Sequence, residues 1–307
     1  MTTINLQEVR KTITHNKRSE YIFGIIGLLS MVIAIVTLSA LLWDLLNDGF
    51  PRISWQFLTS FPSRKAEQAG ILSAWVGTLL VMLVTAFTAI PIGIASGIYL
   101  EEYARKNWVS DLIEINVTNL AGVPSIIYGL LALAVFVYGL NLGRSVVTAG
   151  LTLALLVLPV VIVATREAFR AIPNSIREAA YATGASKWQV IWDHVLPYST
   201  GTILTGIIVA LARAIGETAP LISIGALTFI AFLPDPLINS QFPFISFAWL
   251  LAPCTVLPIQ MFDWVSRPQA SFQANAAAAG LVLIFITLVM NAVAIYLRYR
   301  LRKKIKW

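Results

Sequence analysis

Residues 71–100 read ILSAWVGTLLVMLVTAFTAIPIGIASGIYL, and no Asp, Glu, Lys or Arg interrupts them. As α-helix the stretch would be about 45 Å long, enough to cross the roughly 30 Å hydrocarbon core of a bilayer. A helix on the surface of a soluble domain needs a polar face, and this one has none. Charge returns immediately on both sides, with Arg64, Lys65 and Glu67 before it and Glu101, Glu102 and Arg105 after it. The stretch is therefore a membrane span. It sets the solvent against which the rest of the chain is read.

Five more runs qualify, at 21–46, 112–141, 145–165, 199–233 and 275–297. Composition agrees: of 307 residues, 58% are hydrophobic and 12% charged, and mean hydropathy is +0.78. That is about half the charge content of an ordinary soluble domain. The predicted fold class is all-α, a polytopic transmembrane helical protein with about six spans. The run 21–46 is too long for the apolar region of a signal peptide and lacks a small-x-small cleavage site, so it reads as a retained first span. Pro91-Ile-Gly93, Gly122-Val-Pro124 and Pro159 interrupt three of the spans. Such breaks are tolerated where neighbouring helices or a cavity satisfy the freed backbone groups. Gly93 and Gly97 are spaced for close helix packing, and that is their main reading.

Lys and Arg in the connections give an orientation. With both termini inside, the inside segments carry 16 and the outside segments five. Residues 234–274 hold Pro236, Pro243, Pro253 and Pro258 and are read as an outer loop, with a short interfacial or re-entrant helix near 244–252. Residues 47–70 form the other outer segment, with Trp55, Phe57 and Phe61 as interfacial anchors. The net charge of +7 does not indicate nucleic acid, because the basic residues lie at the ends of apolar runs. Cys254 is the one cysteine, so an intramolecular disulfide is excluded. His15 and His194 both lie outside the apolar runs, so no metal site is expected.

Between spans four and five, residues 166–197 read as two short helices. Ser175-Ile-Arg-Glu178 and Ser186-Lys-Trp-Gln189 match the capping box, in which a serine oxygen and an acid or amide three residues on satisfy each other's backbone N–H. Gly184 suits a left-handed cap between the helices, and Leu196-Pro197 is expected to stop the second one. Trp188, Ile191, Trp192 and Val195 fall on one apolar face. Two readings fit this pattern equally. One is a preorganised helical knob gripped by another protein, and the other is an amphipathic pair lying on the membrane.

Span five contains Arg213 and Glu217, at i and i+4, expected to share a helix face and pair. A charge at the centre of a bilayer costs roughly 2.5–3.5 kcal/mol on insertion scales, so such residues tend to face a cavity and to have a function. Thirty-five residues are too many for one straight crossing, and Gly216 and Pro220 mark the expected break. The pair is placed near the inner end of a translocation pathway, and a purely structural neutralisation is the alternative. Arg suits an anion through bidentate hydrogen bonds, without distinguishing phosphate from sulfate or a carboxylate. Arg166-Glu167, at the end of span four, is a second charge pair with no assigned role.

Glu178-Ala179-Ala180, then Gly184, then Leu196-Pro197, resembles the EAA loop of the membrane subunits of ABC importers, with His194 where the family carries an aliphatic residue. The resemblance implies a type I importer permease (MetI-like) architecture with a core over 71–297, a basic tail over 298–307 and a loop seated in a separate ATPase. Glu178, Ala179, Ala180, Gly184, Trp188, Leu196 and Pro197 would then couple to that ATPase. Leu120-Ala-Gly-Val-Pro-Ser125-Ile-Ile-Tyr128-Gly129, Ala212-Arg-Ala-Ile-Gly-Glu-Thr-Ala-Pro220, Ile259-Gln-Met-Phe-Asp-Trp264 and Met290-Asn-Ala-Val-Ala-Ile-Tyr-Leu297 resemble the permeases of the high-affinity phosphate importer, A-type (PstA) rather than C-type. Implied partners are a homologous permease (PstC-type), two ATPase subunits (PstB-type) and an extracytoplasmic phosphate-binding protein (PstS-type), in a bacterial inner membrane. No G-x-x-x-x-G-K-[ST] occurs, so the chain has no P-loop to cradle nucleotide phosphates and ATP is expected on the partner. A permease for sulfate or molybdate, an integral-membrane enzyme and a scaffold without transport are the rival readings. The enzyme lacks a cluster of catalytic groups at one bilayer depth.

Overall fold

Small side chains decide which helices pack. In the computed structural model, a Cβ added at Gly93 would lie 2.6 Å from Val161, and one at Gly97 the same distance from Thr165. The second and fourth spans thus meet backbone to side chain, as their small-xxx-small pattern predicts. Thr85 adds a polar tie across the same seam, its hydroxyl donating to the Gly150 carbonyl at 3.1 Å.

The structure describes residues 6–105, 107–236 and 246–303. In chain order these form α1 (Leu6–Gly49), α2 (Trp55–Thr59), α3 (Leu72–Ile98), α4 (Trp108–Leu120), α5 (Ser125–Ala132) and α6 (Val146–Arg170). Then come α7 (Asn174–Ala182), α8 (Lys187–Gln189), α9 (Leu196–Gly216), α10 (Ala219–Ser223), α11 (Leu257–Val265) and α12 (Ser271–Lys303). Wide π-helical turns extend α3 over Tyr99–Tyr103 and α5 over Leu133–Gly139, and another joins α8 to α9 over Val190–Val195. Lys106, the tail beyond Lys303 and part of the helix expected near 244–252 lie outside the described residues; within that last stretch Ala248–Leu251 forms a single 3-10 turn.

Among the described residues, five helices are long and apolar enough to cross a membrane, and the bent α4–α5 pair, counted as one span, makes a sixth. The third span is not one rod over 112–141, because α4 and α5 meet at 105°. The cause is local: Gly122 and Pro124 lie between them, and Pro124 adopts ψ 131°, outside the helical range. The fifth span is likewise shorter than 199–233. Helix α9 ends at Gly216, α10 at Ser223, and Gly225 at φ 74° turns the chain.

Helices α3, α6 and α9 form the core, with α12 packed on α9. Between Tyr21 and Leu46 the side chains of α1 are nearly all exposed, and α1 meets α12 near Gly49, against Ala277. That apolar surface is open among the described residues, as a lipid-facing span requires.

The 246–274 segment is more structured than a loop. Pro258 stands in the first turn of α11, where a missing N–H costs nothing, so there proline starts a helix. A second core joins Phe57, Ile71, Leu257, Trp264 and Phe272. Phe57 is 1% exposed and belongs to that core, not to an interfacial anchor, whereas Trp55 at 79% does face outward.

Candidate coupling surface and translocation path

Helix α7 begins where proline fixes the chain. Pro173 is its N-cap (φ −57°, ψ 140°), so Ser175 lies inside the first turn and the expected Ser175–Glu178 capping box does not form. The far end is as expected. Gly184 sits at φ 85°, its N–H donates to Tyr181 O at 2.9 Å, and the Ala185 N–H donates to Ala180 O at 3.3 Å. This is a Schellman motif, which satisfies two carbonyls that the helix end would leave bare. The second capping box is present: Ser186 N–H donates to Gln189 Oε1 at 2.8 Å and Gln189 N–H to Ser186 Oγ at 3.4 Å.

Leu196-Pro197 does not stop that second helix. The π-helical turn Val190–Val195 runs straight into α9, with Pro197 in the first α-helical turn. At the change of register the ladder already leaves one carbonyl over, so a proline there disturbs it less than one inside a regular helix. The loop and the fifth span are thus one continuous helix.

Of the predicted coupling residues, Glu178, Ala179, Gly184 and Trp188 are exposed, Ala180 is buried, and Leu196 and Pro197 are half-buried. On the apolar stripe, Ile191 and Val195 are buried, while the Trp188 and Trp192 rings stack at 5.3 Å and remain more than half exposed. They line a groove with Ile94, Ile98, Tyr99 and Tyr103 of the α3 end.

The loop is fastened there by a residue the sequence reading did not single out. Arg177 donates to Glu102 Oε1 at 2.9 Å, to Ile172 O at 2.7 Å and to Phe169 O at 2.9 Å. Lys187 Nζ donates to the Glu102 carbonyl and lies over the Tyr103 ring at 4.8 Å. The available signal was Glu101-Glu102, two adjacent acids at the end of a span, followed by Arg105. The neighbouring Arg166 is buried and pairs with Glu114 of α4 at 2.8 Å and with Glu101 at 3.5 Å, while Arg170 pairs with Glu101 at 3.1 Å. Glu167 is exposed and pairs with Arg170 at 3.5 Å.

Deeper in the bundle the breaks of spans three and five meet. A Cβ on Gly129 of α5 would lie 2.5 Å from the Pro220 carbonyl oxygen. Tyr128 bridges its own bend, its hydroxyl donating to Leu120 O at 2.7 Å. Arg213 lies on the last turn of α9, close enough for its charge to act on Tyr128. Arg213 and Glu217 do not pair. Glu217 follows the helix end with extended backbone (φ −79°, ψ 120°), and i,i+4 proximity requires both residues to be helical. Arg213 is exposed and has no ion pair among the described residues.

Residues 89–307 match the family described as binding-protein-dependent transport system inner membrane component. The chain belongs to this family. It is a multi-pass membrane subunit of an ABC transporter and not an enzyme. It is 30% identical to the probable ABC transporter permease protein YqgI of Bacillus subtilis, over 92% of this chain and 95% of that one. It is 31% identical to the phosphate transport system permease protein PstA of Yersinia pestis, over 94% and 93%. In fold it resembles a chain of a bacterial alginate ABC transporter solved with a substrate-bound periplasmic protein (TM-score 0.63, 14% identity, 94% and 98% covered). A chain of the MetNI methionine ABC transporter in an inward-facing conformation is also similar (TM-score 0.55, 14% identity, 76% and 94% covered).

Proposed function

We propose that this chain is one permease half of an ATP-driven importer of inorganic phosphate. The observation that carries the reading is its 31% identity to PstA of Yersinia pestis over nearly the full length of both chains. The unpaired Arg213 beside two packed helix breaks supports it, since a guanidinium in an apolar span gains most from an anion that it can hold bidentately. The chain lies with both termini in the cytoplasm, as the 16-to-five bias of Lys and Arg favours. The exposed face of residues 174–195 then seats in a separate ATPase, which binds ATP. A homologous permease (PstC-type), a second ATPase copy (PstB-type) and an extracytoplasmic phosphate-binding protein (PstS-type) complete the assembly.

The test is uptake of labelled inorganic phosphate into vesicles holding the permease pair and its ATPase, with the cognate binding protein outside. Uptake that requires ATP and resists excess sulfate and molybdate supports the reading. Competition by either anion at equal concentration would move the substrate to that anion.

A further inference from the structure

Consecutive carboxylates at the end of α3 face two different partners. Glu102 holds Arg177 of α7 at 2.9 Å, and both side chains are largely buried, at 11% and 15% exposure. Glu101 holds Arg166 and Arg170 of α6, and Arg166 in turn holds Glu114 of α4. Two residues of the loop, Arg177 of α7 and Lys187 of α8, reach the α3 end through three contacts: the Arg177–Glu102 ion pair, the Lys187 bond to the Glu102 carbonyl and the Lys187–Tyr103 contact. Arg177 also donates to the Phe169 carbonyl in the last turn of α6 and to the Ile172 carbonyl in the connection that follows it. One guanidinium thus joins three elements, and its planar fork suits that task in a way an ammonium does not.

The loop is also joined through the chain at both of its ends. On one side it follows α6 through the turn at Ala171–Pro173. On the other side it continues through the wide turn Val190–Val195, where the α-helical ladder changes register. Beyond Glu101 the chain of contacts continues through Arg166 to Glu114 on α4, the arm that bends into the break of span three.

We propose that Glu102 and Arg177 form the transmission joint of the transporter: the pair makes the ATPase-facing loop and the α3 end move as one body. Glu101, Arg166 and Glu114 carry that displacement to α4 and so to the bend at Gly122–Pro124. Glu102 and Arg177 are positioning residues, acting on the path through α3 and α4 without touching substrate. The inference rests on the proposed ATPase contact of residues 174–195.

The experiment is a double-mutant cycle on the reconstituted transporter with Glu102→Gln, Arg177→Met and the double variant, and with Arg177→Lys as the conservative change. Labelled phosphate uptake and ATP hydrolysis are measured together, and co-purification of the ATPase is scored for each variant. The expected result is about a tenfold fall in phosphate moved per ATP hydrolysed for either single change, with assembly retained. The double variant should be no worse than the singles, because one joint can be broken only once. A wild-type ratio in both singles overturns the proposal. So does a parallel fall of uptake and hydrolysis at constant ratio, which marks a merely structural pair, or effects that multiply in the double variant. Failure of the unaltered chain to co-purify with its ATPase would instead overturn the reading of the loop itself.

Discussion

Gly129 and Pro220 touch where the broken third and fifth spans cross, with room for a hydrogen at Gly129 and not for a methyl. A Cβ there would lie 2.5 Å from the Pro220 carbonyl oxygen, 2.6 Å from Ser223 Cβ and 2.7 Å from Pro220 Cα. Two of the three are backbone atoms, so no side-chain rotation relieves the clash. Gly129→Ala should destabilise the detergent-solubilised protein by about 1–3 kcal/mol, the usual range for overpacking. Gly201→Ala, on α9 with nothing within 4 Å of the added Cβ, should be neutral or slightly stabilising. Thermal unfolding of both variants checks this, and equal melting temperatures would show that the breaks are not in tight contact.

The structure separates Arg213 from Glu217, and that changes what their substitution should do. Were they a pair, neutralising either would disturb the same interaction. Because Glu217 lies beyond the end of α9, Glu217→Gln should leave most phosphate uptake, whereas Arg213→Gln should lower it by about tenfold or more while the subunit still assembles. Arg213→Lys should rescue only in part, since an ammonium cannot bind an anion bidentately. Matching losses in the Arg213 and Glu217 variants would restore the paired arrangement.

The six apolar runs were legible because membrane spans leave a long-range compositional signal. The places of breaks were legible in part: Gly122, Pro124, Gly216 and Pro220 punctuate the backbone, whereas α3 runs on through Pro91 and α6 through Pro159, both of which read as interruptions in the sequence. What the breaks do was not. The sequence marks a bend at Gly122–Pro124 but carries no measure of its 105° angle, which depends on what α4 and α5 pack against. Pattern also misread Pro197 and Pro258: Pro258 lies in the first turn of α11, where proline is compatible with helix, and Pro197 falls at a change of helical register that the local sequence does not announce. The Gly184 cap and the Ser186–Gln189 box were legible as short-range devices, whereas the equally local Ser175–Glu178 box is displaced by Pro173 at the N-cap. The Glu102–Arg177 bond spans 75 positions, so only the folded chain brings it into view.

Gly184 tests whether the shape of the loop matters apart from its contacts. At φ 85° it has open space around the position of a Cβ, so a substitution there meets backbone strain and no clash. Gly184→Ala should cost about 1 kcal/mol of loop order, Gly184→Asn less, and Gly184→Pro should disrupt the turn, because proline fixes φ near −65°. Co-purification of the ATPase should fall in the order Gly, Asn, Ala, Pro while membrane insertion is unchanged. Normal yield from the proline variant would mean that the ATPase does not read this turn.

Cys254 provides the means to test orientation. It is 4% exposed, and burial pushes its thiol up to about 12. The thiolate is the reactive form, so at pH 8 Cys254 should present about a thousandfold less of it than an exposed cysteine. The folded protein holds this proton more tightly than the unfolded chain does. The associated stability is therefore fully present below about pH 9 and lost as pH rises toward 12. A maleimide should leave the native protein unlabelled from either side of the membrane at pH 7–8 and label it after denaturation in detergent. Against that background Ala182→Cys, at the exposed end of α7, should react with an impermeant maleimide only when the cytoplasmic face is accessible. Asp235→Cys should react from the opposite face. Labelling of Ala182→Cys in intact cells would place the loop outside and remove the ATPase from its reach.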